Sequence, residues 1–129
     1  SKIYKKKLID ELFISKDQLK IINKEHIIGL HSHSHPTEIS KMSQAKQLQE
    51  YKKNIFYLNK LININQLTMS HPCSAYNIKT LEILKKLKIL IGFKANIKKD
   101  KKKYSHLEIP RIDHAILFKK ILNYEKKNK

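Results

Sequence analysis

Residues 29–36 read GLHSHSHP, and three of the chain's seven histidines, His31, His33 and His35, fall within five positions. Neutral imidazole is a common ligand for zinc and other borderline divalent metals. His31 and His35 stand four apart. Two ligands at that spacing close on one ion where the backbone turns between them, or on one face of a helix. Gly29 ahead of them and Pro36 behind argue against a helix and for a strand end with a turn. His33 shares a face with its neighbours only if the backbone is fully extended. If the chain bends, its ring turns away. Two histidines do not make a catalytic centre, because a catalytic zinc takes three protein ligands and keeps a position for water. A third ligand, often a carboxylate, has to come from elsewhere. The plain alternative is a solvated histidine-rich tract that binds metal nonspecifically.

The elements that would position these residues follow from hydrophobic spacing. SKIYKKKLIDELFI (1–14) and SKDQLKIINK (15–24) read as short helices. The second opens on a capping box, Ser15 with Gln18, and has Leu19 and Ile22 as its buried side. Ile27, Ile28 and Leu30 make a compact apolar run around Gly29, read as a buried strand that ends in the histidine loop. Residues 43–62 form the most regular helix, with Ser43 as N-cap and Ala45, Leu48, Ile55, Leu58 and Ile62 on one face. INQLTMSHP is a second strand ending at Pro72. NIKTLEILKKLK (77–88) is a helix capped by Asn77, with Ile78, Leu81, Leu84 and Leu87 inward. ILIGFKAN is a third strand, HLEIPRID (106–113) a short extended segment, and AILFKKILNYEKKNK a terminal helix with a lysine-rich end at about 119–129. Alternation of this kind implies an α/β fold with parallel strands and helices packed outside. Chemistry in such folds sits at the C-terminal ends of strands, where both HSHSHP and MSHPCSAYN fall.

Composition narrows the function classes. The 129 residues suit one domain. Lysine and arginine total 28 against 11 acidic residues, a formal net charge of +17. That balance suggests nucleic acid or an anionic surface. The cations are almost all lysine, however, and Arg111 is the single arginine, whereas specific recognition of bases and phosphates favours the bidentate guanidinium. No specific nucleic-acid partner is expected. The run KKDKKK (98–103) reads as a solvated loop. One cysteine, Cys73, excludes an internal disulfide framework. No apolar run reaches the ~20 residues of a membrane span. No charged-then-apolar leader opens the chain, which slightly favours the cytoplasm.

IGLHSHSHP resembles the second motif of the polysaccharide deacetylases, the NodB-homology or carbohydrate esterase family four group, which reads His-Ser/Thr-x-x-His. His31, Ser32 and His35 match it, and the capped helix before the strand is similar to the family's lead-in. LTMSHPCSAYN resembles the third motif in its Tyr-Pro-Phe-Gly-x-Tyr-Asn form, with Pro72, Tyr76 and Asn77 matching. LEIPRID (107–113) is similar to a late segment of sugar-deacetylase relatives. The resemblance covers roughly residues 12 to 114. It implies a partial distorted (β/α) barrel and metal-dependent removal of an N- or O-acetyl group from a sugar or polysaccharide. It further implies a divalent metal, most often zinc, on His31 and His35. A backbone N–H of the third motif, at Cys73, would stabilise the oxyanion. Pro72 and Tyr76 would lie against the substrate, and Arg111 and Asp113 would orient a catalytic group or form an ion pair at the rim.

The departures from the pattern carry their own expectations. The first motif, Thr-Phe-Asp-Asp-Gly, which supplies the third ligand and the general base, is not found, so an upstream segment is expected to complete the site. Asp10 and Glu11 read as helix surface. This chain alone is then expected to bind metal weakly and to be a poor catalyst or an inactive one. Ser70 stands where many members have Arg, Cys73 where Tyr or Phe is usual, and Ser74 where Gly is usual. Ser74 puts the turn in doubt if that position needs a positive φ. Cys73 is a backbone oxyanion donor, a soft metal ligand, or a small buried residue, the last reading being favoured. His106 and His114 are candidates for the late general acid. A noncatalytic sugar- or metal-binding descendant of the family is the first rival reading, and a basic nucleic-acid-binding protein is the second.

Overall fold

The computed structural model describes residues 7–8, 10–64, 67–95, 105–112 and 114–127. Three helices start at side-chain caps. Helix α1 (Lys16–Ile22) opens on the expected box: Ser15 Oγ accepts the Gln18 N–H and Gln18 Oε1 accepts the Ser15 N–H, at 3.2 and 2.8 Å. Helix α2 (Gln44–Leu61) begins at Ser43, whose hydroxyl accepts the Lys46 N–H. Helix α3 (Ile78–Lys86) begins at Asn77, and Thr80 returns the bond to form a second box. Each cap satisfies an amide that the first helical turn leaves without a partner. Helix α4 spans His114–Lys127, so the lysine-rich end is helical through Lys127. Within the segment 1–14, residues 7–8 and 10–12 are helical.

The strands are parallel and follow chain order. β1 (Thr68–Ser70) pairs with β2 (Ile91–Lys94), and β2 with β3 (Ile109–Pro110). Leu30 adds to the free side of β1 by one parallel bridge to Met69. Its N–H donates to the Thr68 carbonyl at 2.7 Å, and its carbonyl accepts the Ser70 N–H at 2.9 Å. Helices α2 and α3 are the crossovers from Leu30 to β1 and from β1 to β2. Parallel neighbours need such connections.

Several sequence expectations are corrected. The buried strand at 27–30 contracts to the single bridge at Leu30. Ile27 is 64% exposed, because no described residue pairs with or covers that side. The other strands are shorter than the apolar runs that contain them. Ile78 is 67% exposed, and α3 instead buries Thr80, Ile83 and Leu84. In α2 Ala45 is exposed, and the buried positions are Gln47 and Tyr51, with Leu48, Ile55 and Leu58 half-buried and Ile62 buried at the C-cap. Leu19 is half-buried but Ile22 is exposed on α1. The 98–103 lysine run lies outside the described residues.

The core lies between the sheet and α2/α3 and contains Leu30, Ile39, Tyr51, Met69, Ile83, Leu84, Ile89 and Leu107. Each large aliphatic side chain buried there contributes about 1.5–3 kcal/mol. The polar side chains of Gln47 and Thr80 are buried between the two helices. Thr80 Oγ1 donates to Gln47 Oε1 at 2.7 Å, and Gln47 Nε2 donates to the Met42 carbonyl at 2.9 Å. The bonds that lock α2 to α3 leave these groups satisfied, which is what makes their burial tolerable.

Side chains alternate across a strand. The register aligns Leu30, Met69 and Gly92 on the helix-covered side. Ser70, Phe93 and Ile109 align on the other side, with His31 one residue beyond Leu30. That second face lines a cleft of about 450 Å³ whose walls include Ile27, His31, Thr68, Ser70, Phe93 and Arg111. At Gly92 a side chain would have no room. A Cβ there would sit 2.6 Å from the Leu107 carbonyl oxygen, so the 105–110 segment can lie against β2 only because this residue is glycine.

Candidate metal centre

The histidine loop bends. Ser32 and His35 both adopt left-handed backbone, with φ of 61° and 52°, and Ser32 Oγ accepts the His35 N–H at 3.1 Å. Serine side chains favour such local turns, which lets a non-glycine residue hold the bend. The bend brings the rings of His31 and His35 to 4.8 Å between centroids, tilted by 57°. His33 turns away, as a bent backbone requires, and stacks on Tyr57 of α2 at 4.9 Å and 7°.

The tautomer of His31 follows from its partner. Nδ1 lies 2.8 Å from the Ser70 carbonyl oxygen. A carbonyl only accepts, so Nδ1 carries the proton and Nε2 keeps its lone pair. Donation of the second ring nitrogen to a carbonyl is the usual outer contact of a metal-ligating histidine. Both rings are exposed. Their donors and spacing fit two imidazole ligands of one borderline cation. Among the described residues no third His, Cys, Asp or Glu joins them.

Helix α2 supplies the outer contacts of the loop. Asn54 Oδ1 accepts the His31 N–H at 3.0 Å, and Glu50 Oε2 accepts the N–H groups of His33 and Ser34 at 3.1 and 2.8 Å. Partial burial pushes the Glu50 carboxyl up, but its bonds from Ser34 and His33 together outweigh this and hold it below the usual carboxylate range.

The second loop follows β1. Pro72–Ser74 is a single 3₁₀ turn in which Cys73 and Ser74 both have positive φ, 49° and 53°. The doubt about Ser74 is therefore real, since its backbone takes the conformation glycine favours. Its hydroxyl compensates by accepting the Ala95 N–H at 2.7 Å. Cys73 is exposed, which corrects the buried reading, and its N–H has no acceptor among the described residues. Pro72 is fully buried and presents no surface to a substrate, so its ring shapes the turn instead.

Beneath this turn His71 is buried. Its Nε2–H donates to the Leu107 carbonyl at 2.8 Å, and its Nδ1 has no partner among the described residues. Burial lowers the His71 pKa, against the smaller raising effects of Leu107 and Glu108. Tyr76 stacks on it at 4.1 Å and donates its hydroxyl to Glu108 at 2.9 Å. Burial first, and then Glu108, push the Tyr76 phenol up to about 12.

The profile of the family described as polysaccharide deacetylase matches residues 4–91. The chain belongs to that family. Among solved structures, the Streptococcus pyogenes deacetylase PplD, in complex with acetate, aligns with a TM-score of 0.70 at 24% identity, over 82% of this chain and 47% of that one. The likeness shows the fold, a partial NodB-type α/β domain of parallel strands and outer helices, and the chain spans about half the length of the relative. No curated protein matches.

In this polysaccharide deacetylase family member, the rings of His31 and His35 meet, and Ser70 and Arg111 line the same cleft as His31. The Arg111 N–H donates to the Lys94 carbonyl, beside the end of β2. Asp113, expected to pair with Arg111 or orient a catalytic group, lies outside the described residues. His106 and His114 are exposed. Glu11 faces Lys7 across one helical turn on the surface, as expected of helix surface. Exposed lysines occur on all four helices and not in one stripe. Glu50, Asn54 and Tyr57 were not singled out from the sequence. The available signal was their spacing of four and then three, which places them on one helix face.

Proposed function

We propose that this chain carries the two-histidine part of a metal-dependent deacetylase site, which removes N- or O-acetyl groups from a sugar or polysaccharide. The observation that carries this reading is the His31 ring, held by the Ser70 carbonyl with its Nε2 lone pair free and the His35 ring 4.8 Å away. Zinc is the cation the donors suit best. When bound, it supplies a lowered water pKa and polarises the acetyl carbonyl. His31 and His35 hold the ion. The Cys73 N–H, in a turn held by Ser74 and His71, is the donor for the developing oxyanion. Arg111 orients groups at the cleft wall, and Tyr76 lines the approach over His71. The third ligand and the general base are carboxylates from outside the described residues.

Calorimetric titration of the chain with zinc tests this. Binding should be one to one, weakened at least tenfold in His31→Ala and in His35→Ala, and changed less than twofold in His33→Ala. Equal affinities across the four proteins would mean that the histidines are a surface tract.

A further inference from the structure

The loop that carries His31 and His35 does not hold itself. It contains two left-handed non-glycine residues, Ser32 and His35. Such conformations persist only where surrounding structure over-determines them. Its internal support is one bond, Ser32 Oγ to the His35 N–H. From outside the loop, the Ser70 carbonyl of β1 accepts the His31 ring N–H, and the other contacts come from a single face of α2. Asn54 accepts the N–H of the first histidine, the Glu50 carboxylate accepts two successive N–H groups, and Tyr57 covers the His33 ring. Positions 50, 54 and 57 are four and three apart, so one helix presents all three to the loop. The three bonded amides belong to His31, one of the pair, and to His33 and Ser34, which lie between His31 and His35.

From this we infer that Glu50 and Asn54 are positioning residues for the metal pair: α2 clamps the loop so that His31 and His35 face one ion before it binds. This rests on the metal-centre reading above. A flexible loop would have to be ordered by the ion, whereas a clamped one is ordered by folding, and pre-organisation of that kind raises affinity. Glu50 also places a negative charge against the loop that carries both histidines, in a chain whose net charge is +17. Outer contacts of this type typically change metal affinity 10–100-fold when removed.

The test uses the 129-residue chain with zinc alone for affinity and cobalt(II) alone for its visible spectrum. Glu50→Ala and Asn54→Ala should each weaken zinc binding at least tenfold and reduce the cobalt absorption bands. Glu50→Gln and Asn54→Asp, which keep a carbonyl or carboxylate acceptor, should recover most of the affinity. Gln49→Ala, an exposed neighbour on α2, should change nothing. Amide exchange at His33 and Ser34, followed without metal, should quicken in Glu50→Ala while the core amides of Met69 and Leu84 stay protected. That last comparison separates a loosened loop from a chain that fails to fold. If His31→Ala and His35→Ala abolish binding but Glu50→Ala and Asn54→Ala bind as wild type, the clamp is wrong and the metal reading stands. If alanine at 50 or 54 weakens binding and the conservative variants do not restore it while the core stays protected, the hydrogen-bonded clamp is wrong as well. If wild type binds no metal, both fall.

Discussion

Gly92→Ala isolates one close approach on which the sheet and the second loop both depend. The residue lies in β2, and its φ is not in the left-handed region, so alanine meets no backbone obstacle. Intrinsic propensity alone would favour alanine by about 0.5–1 kcal/mol. The added Cβ, however, would stand 2.6 Å from the Leu107 carbonyl oxygen and 3.0 Å from its carbonyl carbon and Cα. Ordinary contact begins near 3.4 Å, so backbone must shift by about 0.8 Å, and no flexible side chain is available to absorb the shift. Overpacking of this kind costs about 1–3 kcal/mol. The same movement strains the Gly92 N–H bond to the His106 carbonyl and the His71 bond to Leu107. Losing one such bond adds about 1 kcal/mol. Sterics therefore win, with a net loss of about 1–3 kcal/mol. For a domain of this size that lowers the melting temperature by roughly 4–12 °C in scanning calorimetry. Gly29→Ala is the control. Its Cβ would meet the Thr68 hydroxyl at 3.1 Å, a group able to rotate away, and the melting temperature should move by less than about 2 °C. An unchanged or raised melting temperature for Gly92→Ala would refute the steric argument and the placement of Leu107 against β2.

Two further outcomes follow from the second loop. Ser74→Ala keeps the positive φ and loses the bond from Ala95, so it should destabilise the chain by about 1 kcal/mol. Ser74→Gly loses the same bond but relieves the backbone and should be close to neutral; equal losses in thermal melts would show that the turn carries no strain. His71 is held neutral by burial, so its folded pKa lies below the unfolded value near 6.5. Unfolding then takes up a proton, and stability is full above that pH and falls as pH drops through it toward the folded pKa. Urea midpoints measured between pH 8 and 5.5 should decline less steeply in His71→Gln than in wild type, and parallel declines would exclude His71 as the cause.

The division between what the sequence determined and what the tertiary structure decided is physical. Local signals were legible. A capping serine satisfies amides within one turn, so Ser15, Ser43 and Asn77 mark their helices without outside help. The alternation of helices and short apolar runs was enough for a parallel α/β fold, and Gly29 and Pro36 around the histidine run were enough to expect a strand end with a turn and not a helix. Which face of each helix is buried was less legible, because apolar residues outnumber the contacts available. Ile78 and Ala45 sit outside, while Thr80 and Gln47, polar by type, are buried because each finds a partner across the helix pair. Ile27 is exposed for the opposite reason, since no described residue covers its side of the sheet. Cys73 looked like a small core residue, but the backbone turn that carries it, and not its apolarity, sets its exposure. The proton on His31 and the bracing by Glu50 and Asn54 depend on groups 16 to 39 residues apart in the chain. Residue types show that such bonds are possible. Only the fold brings each carbonyl and carboxylate within 3 Å or so of its donor.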